Sequence, residues 1–240
     1  MRTTRLTPSL LAAALFVALV PFATNSLAAP AAPAAQPLHA KPAARSASEQ
    51  SLFHTTRLLA AGDVNAAKVE LRHAERALRQ DALTNDQIAR AEATHLLHDA
   101  RQLETHLKQG DANSQRLART LWRKNAALAE RRAAYLGDAW PRVMHDHPVK
   151  SQLIDARLYL HYANIEEFTA HNQSAADEYL NLAQTHISRA HEIAFKRQRP
   201  VMEIDGVQKH IAALAATRPV QRTPEQFKLR RDELSVMIDQ

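Results

Sequence analysis

The stretch TNDQIARAEATHLLHDARQLETHLKQGD, residues 84–111, decides the fold. Ala89, Ala93, Leu96, Ala100, Leu103 and Leu107 recur at spacings of three and four, which places them on one face of a helix. Thr84-Asn85-Asp86-Gln87 has the form of a capping box at its start. Gly110-Asp111 closes it, with Gly suited to the left-handed C′ position and Asp to the cap of the next helix.

The same grammar extends outward in both directions. Gly62-Asp63 and Gly137-Asp138 repeat the Gly-Asp punctuation. Thr223-Pro224-Glu225-Gln226 is a second capping box, with Pro at the first helical position. Pro141, Pro148, Pro200 and Pro219 fall between apolar runs, where helices should stop. A second seam, Ala176, Leu180, Ala183, Ile187, Ala190 and Ala194, has the same period as the first. The pattern predicts seven or eight helices, near 50–61, 64–81, 85–109, 112–136, 150–171, 174–197, 206–217 and 224–239. Strand-like alternation does not persist. The expected fold is all-α, an antiparallel helical bundle or stacked helical hairpins, anchored by Phe53, Trp122, Tyr135, Trp140, Tyr159, Tyr162, Phe168, Tyr179, Phe195 and Phe227.

Composition narrows the chemistry. The 240 residues include no Cys, which excludes disulfides, thiolate zinc sites, iron–sulfur clusters and a Cys nucleophile. Four Gly are too few for a turn-dense β-barrel or sandwich, and no glycine-rich phosphate loop is present. No nucleophile elbow, H-E-x-x-H motif or supported Ser–His–Asp arrangement occurs, so a non-enzymatic protein is expected.

The N-terminus reads as an address. Arg2 and Arg5 precede an apolar run from Leu10 to Val20, followed by Pro21 and Ser26-Leu27-Ala28. That is the pattern of a secretory signal peptide over 1–28 with cleavage after Ala28, and the apolar run is too short for a membrane span of about 20 residues. Residues 29–48, with Pro30, Pro33, Pro37 and Pro42 among alanines, read as an extended tether before a single helical domain over 49–240. Four of the 31 Lys and Arg precede Glu49, where no acid occurs, leaving 27 cations against 25 acids. The formal charge of +6 therefore shrinks to +2 in the helical part, and no nucleic-acid footprint is expected.

Thirteen His stand out in the remainder. Glu92, His95, Asp99 and His106 fall on one stripe beside the third helix's seam, a pH-responsive edge in which Asp99 is placed to pair with protonated His95. His145-Asp146-His147 lies in a loop and offers Zn or Cu ligands, with His161 and His171 as completions by fold. Two E-x-x-H pairs, Glu70/His73 and Glu92/His95, share the spacing of di-metal bundles, but the helical wheel points their His away from the seams.

Two stretches resemble each other: Ala61-Gly62-Asp63 followed by Ala66, Ala67, Leu71 and Ala74, and Ala170-His171-Asn172 followed by Ala175, Ala176, Leu180 and Ala183. Each resembles the second helix of a tetratricopeptide repeat. First-helix positions hold Ser51 and Thr55, or Leu160 and Asn164, so a bundle with two similar hairpins fits better than a repeat array. The hairpin Arg57-Leu58-Leu59-Ala60-Ala61-Gly62-Asp63, with the signal peptide and Ala-rich helices, also resembles the YfdX family of exported bacterial proteins. That resemblance implies a periplasmic, oligomeric protein linked to stress tolerance, and it carries over no catalytic residues. The Ala-rich hairpins, the His excess and the lack of catalytic signatures add the expectation of a chaperone-like role with protein partners or self-association.

Overall fold

The computed structural model describes residues 46–136 and 148–239. Among these the architecture is all-α, with eight helices. They are α1 (Ala47–Ala60), α2 (Val64–Asp81), α3 (Gln87–Gln109), α4 (Ser114–Leu136), α5 (Pro148–Ile165), α6 (Gln173–Lys196), α7 (Met202–Ala216) and α8 (Pro224–Asp239). A π-helical turn, Glu166–Ala170, ends α5, and a 3₁₀ turn, Pro219–Gln221, precedes α8. Among the described residues no helix is long and apolar enough to cross a membrane.

The helices close into two rings of four. In the first, α1 packs on α2, α2 on α3, α3 on α4 and α4 back on α1. The second repeats the scheme with α5, α6, α7 and α8, and α4 on α5 joins the two. Short connections force sequential helices to run antiparallel. Both seams read from the sequence face these interiors: no residue of the α3 seam exceeds 4 % exposure, and none of the α6 seam exceeds 1 %. The two similar stretches occupy equivalent places. Ala67, Leu71 and Ala74 on α2 and Ala176, Leu180 and Ala183 on α6 are the buried stripe of the second helix in each ring. Their caps match as well: the side chain of Asp63 accepts from Ala66 N, and that of Asn172 from Ala175 N.

Helix α5 differs from the rest. It touches α4, α6 and α8, and side chains all round it are buried, from Leu153 and Ile154 to Tyr162 and Ile165. A helix with buried residues on nearly every side belongs in the middle of a fold.

The structure corrects several sequence boundaries. Ala47 and Ser48, read as the end of the tether, form the first turn of α1, capped by the Ser46 hydroxyl. Residues 150–171 are not one helix, because the π-turn interrupts them after Ile165. Helix α7 starts at Met202 rather than 206, with Gly206 in its interior. The cap of α3 is Asp86, not Thr84: its carboxylate accepts from Ile88 N and Ala89 N, an arrangement that favours an anion against the helix N-terminus. The Thr223 box forms as read, with Gln226 N donating to the Thr223 hydroxyl and Thr223 N to the Gln226 side chain. Phe195 is no anchor, since it is 70 % exposed.

Candidate functional site

Helix α4 carries two cations where its packing stripe should be apolar. Leu121, Lys124, Leu128, Arg131 and Tyr135 follow one another at spacings of three and four, and all are buried. Burying a charge is tolerable only with partners at hand.

Arg131 is 2 % exposed and gathers three helices. Its Nε donates to Asp155 Oδ1 on α5 at 2.8 Å, and its Nη groups donate to the Asp86 carboxylate that caps α3. The guanidinium also lies 4.6 Å from the centroid of the Tyr135 ring, whose hydroxyl sits 3.0 Å from the same Asp155 oxygen. Burial opposes the charge on Arg131, but the carboxylates of Asp155 and Asp86 more than offset it and hold the group above its ordinary range. Burial likewise pushes the Tyr135 phenol up.

Lys124, two turns earlier on the same face, pairs with Glu166 in the π-turn. Its ammonium lies over the rings of Tyr162 and Tyr179, at 5.7 and 5.3 Å from their centroids. The neighbouring Glu167 turns to a different partner, Arg222, at 3.3 Å. Arg222 also donates to Asp177 and to the Ala215 and Thr217 carbonyls at the end of α7. The widened π-turn thus lets consecutive glutamates serve both rings.

Tyr159 links the remaining groups. Its hydroxyl donates to Glu92 Oε1 at 3.3 Å, and the His186 ring stacks on it with centroids 5.3 Å apart. Burial raises the Glu92 carboxyl against the pull of His95 and Lys124. His186 Nδ1 donates to Gln152 Oε1 at 2.9 Å. Burial, and then the charges of Arg189 and Arg131, pushes His186 down to about 4. His161 on α5 is pushed down to about 4 as well, by burial and then Arg231, Arg123 and Arg157.

Chemically, the belt is enclosed around Arg131 and His161 and opens at Asp86 and Tyr135. The void beside Arg131 and His161 is about 10 Å³, room for one water and no substrate. A larger cleft of about 380 Å³ opens between the α2–α3 turn and the end of α4, where Arg132 pairs with Asp81 at 2.8 Å. What the belt does offer is proton uptake in acid, at His186 and His161.

The stripe proposed from sequence does not act as one unit. Glu92 turns inward and is 5 % exposed. His95 stays in solvent, 68 % exposed and 3.9 Å from Glu92 rather than paired with Asp99. The charge of Asp99 acts on Lys124 across the α3–α4 contact. His106 donates to Asp111 at 2.6 Å, tying the end of α3 to the turn that follows. His145, Asp146 and His147 lie outside the described residues. His73 is 46 % exposed, 3.8 Å from Glu70, so the E-x-x-H pairs do not converge. Among the described residues no group of three or more His, Asp or Glu is placed to hold a metal ion.

Sequence reasoning missed Lys124, Arg131, Asp155, Glu166 and His186. A signal existed for the first two: cations at stripe positions between Leu121, Leu128 and Tyr135. No protein-family model matches this chain, nor does any curated protein or solved structure.

Proposed function

We propose that this chain is a non-enzymatic helical protein of the bacterial periplasm that engages other proteins through its second ring, in a stress-related, chaperone-like role of the kind its resemblance to the YfdX family suggests. One observation carries the reading. Helix α8 is apolar on two opposite faces: Phe227, Leu234 and Ile238 are buried, whereas Leu229 and Val236, two turns apart, are 50 % and 62 % exposed. The inner face serves the ring, and the outer stripe has the spacing of a helix that receives a partner helix. Lys228 and Asp232, paired with each other at 2.5 Å, flank it as a polar rim.

Acid tunes this surface through buried His186 and half-buried His161, since α8 packs on α5, which carries His161. The test is suppression of client aggregation together with sedimentation of the full chain, at pH 7 and pH 4, where His161 and His186 take up protons in the fold. Wild-type protein protects clients or self-associates, with a different extent at the two pH values. L229K/V236K loses that activity while keeping its helical circular dichroism. Equal behaviour of wild type and variant overturns the reading.

A further inference from the structure

The corner between α6 and α7 combines exposed apolar bulk, uncompensated positive charge and a held backbone. Phe195, in the last turn of α6, is 70 % exposed, and Met202, the first residue of α7, is 83 % exposed. Between them run Lys196, Arg197, Gln198, Arg199 and Pro200, all exposed, and then Val201. The nearby acids are largely engaged: Glu192 pairs with Lys196 at 2.6 Å, and Asp205 with His191 at 2.9 Å. Arg197 and Arg199 have no carboxylate partner among the described residues and outnumber Glu203, the remaining acid at the start of α7.

The backbone holds this display in place. Arg199 N donates to the Ala194 carbonyl at 3.0 Å and Gln198 N to that of Phe195 at 3.0 Å, with Gln198 in the left-handed region at φ 54. This is a Schellman-type closure made without glycine. Ala194 and Ile204 are buried on either side, and Val201 packs against the core. The tip is therefore presented by anchored residues.

Placement and charge together select the partner. Phe195 and Met202 sit at the two ends of an exposed turn rather than along one helix face, so they form no stripe for a partner helix. They suffice to enter the boundary between lipid headgroups and acyl chains when cations beside them meet anionic phosphates. We infer that the α6–α7 corner docks on bilayers containing anionic phospholipid, with Phe195 and Met202 at the headgroup boundary and Arg197 and Arg199 on the phosphates. This surface is separate from the outer stripe of α8.

The test adds vesicles of phosphatidylcholine, alone or mixed with phosphatidylglycerol, to the full chain. The N-terminal apolar stretch contributes equally to every variant, so differences report the corner. In F195W, the emission difference against wild type shifts to the blue with anionic vesicles and not with neutral ones, and added salt weakens the effect. R197Q/R199Q binds anionic vesicles about 25-fold more weakly, roughly fivefold for each cation. F195S/M202S loses at least as much, and its thermal melt stays close to wild type because both side chains are largely exposed, with Phe195 giving up a stacking contact to the His191 ring. An F195W emission that ignores anionic vesicles, an equal shift on neutral ones, or unchanged affinity in both double variants overturns the inference.

Discussion

The two rings share a plan and differ in how they turn. Gly62, which closes α1 onto α2, has φ 80, and Gly110, which closes α3, has φ 71. In the second ring the matching place to Gly62 is His171, at φ 57, and the end of α6 is closed by Gln198 at φ 54. A side chain in the left-handed region costs about 1 kcal/mol relative to glycine. Surfaces diverge too. Of nine large apolar residues exposed among the described residues, six lie in the second ring or its turns: Leu182, Phe195, Met202, Val220, Leu229 and Val236. The first ring is thus built for closure, whereas the second tolerates strain and exposure, the pattern expected where binding is placed.

The comparison breaks most severely at the joint. R131M removes the cation shared by Asp86 and Asp155 and leaves two carboxylates buried, a loss of about 3–5 kcal/mol in urea unfolding. If the rings were independent, the loss would appear in one of two transitions; a single destabilised transition shows that they are coupled.

Acid strikes the second ring harder. The ordinary His value is about 6.5, and His186 in the fold lies at about 4, so the unfolded chain takes up the proton first. Stability from this group is therefore complete above pH 6.5, falls between pH 6.5 and 4, and is flat below. The full loss is on the order of 3 kcal/mol. His161 adds to it with the same sign, while Glu92, whose carboxyl is raised by burial, opposes it. Urea midpoints at pH 7 and 4.5 should differ strongly in wild type and less in H186F, which keeps the ring stacked on Tyr159 without the proton site.

Exchanging the turn residues sharpens the contrast directly. H171G and Q198G should each raise stability by about 1 kcal/mol, whereas G62A and G110A should each lower it by about as much. An added Cβ meets no atom within 4 Å at either glycine, so the whole effect is backbone conformation. The smallest change is G206A, inside α7 with open space around the new methyl group, which should add about 0.4–1 kcal/mol in thermal unfolding.

The fold was largely legible because Ala and Leu seams at helical spacing report packing faces directly. Asp63 and Thr223 announced helix starts through local hydrogen bonds that the sequence displays, whereas the Asn172 cap emerged only from the structure. Asp86 displaced Thr84 as a cap because Arg131, 45 residues away, holds its carboxylate, and no local pattern encodes that partner. The candidate site was far less visible. Lys124 and Arg131 look like surface residues until their stripe is traced, and Asp155 and Glu166 reveal their role only once α5 is docked. Of the many His, burial rather than spacing marks His161 and His186, and burial is a property of the assembled rings.

The double duty of Asp86 has a consequence for motion. One carboxylate starts α3 and grips the arginine that joins the rings, so its helix terminus cannot fray alone. Helix ends ordinarily exchange their amide hydrogens with solvent through small local openings. The Ile88 and Ala89 amides should instead exchange as slowly as those at the centre of α5, making the first turn of α3 a reporter of whole-molecule unfolding.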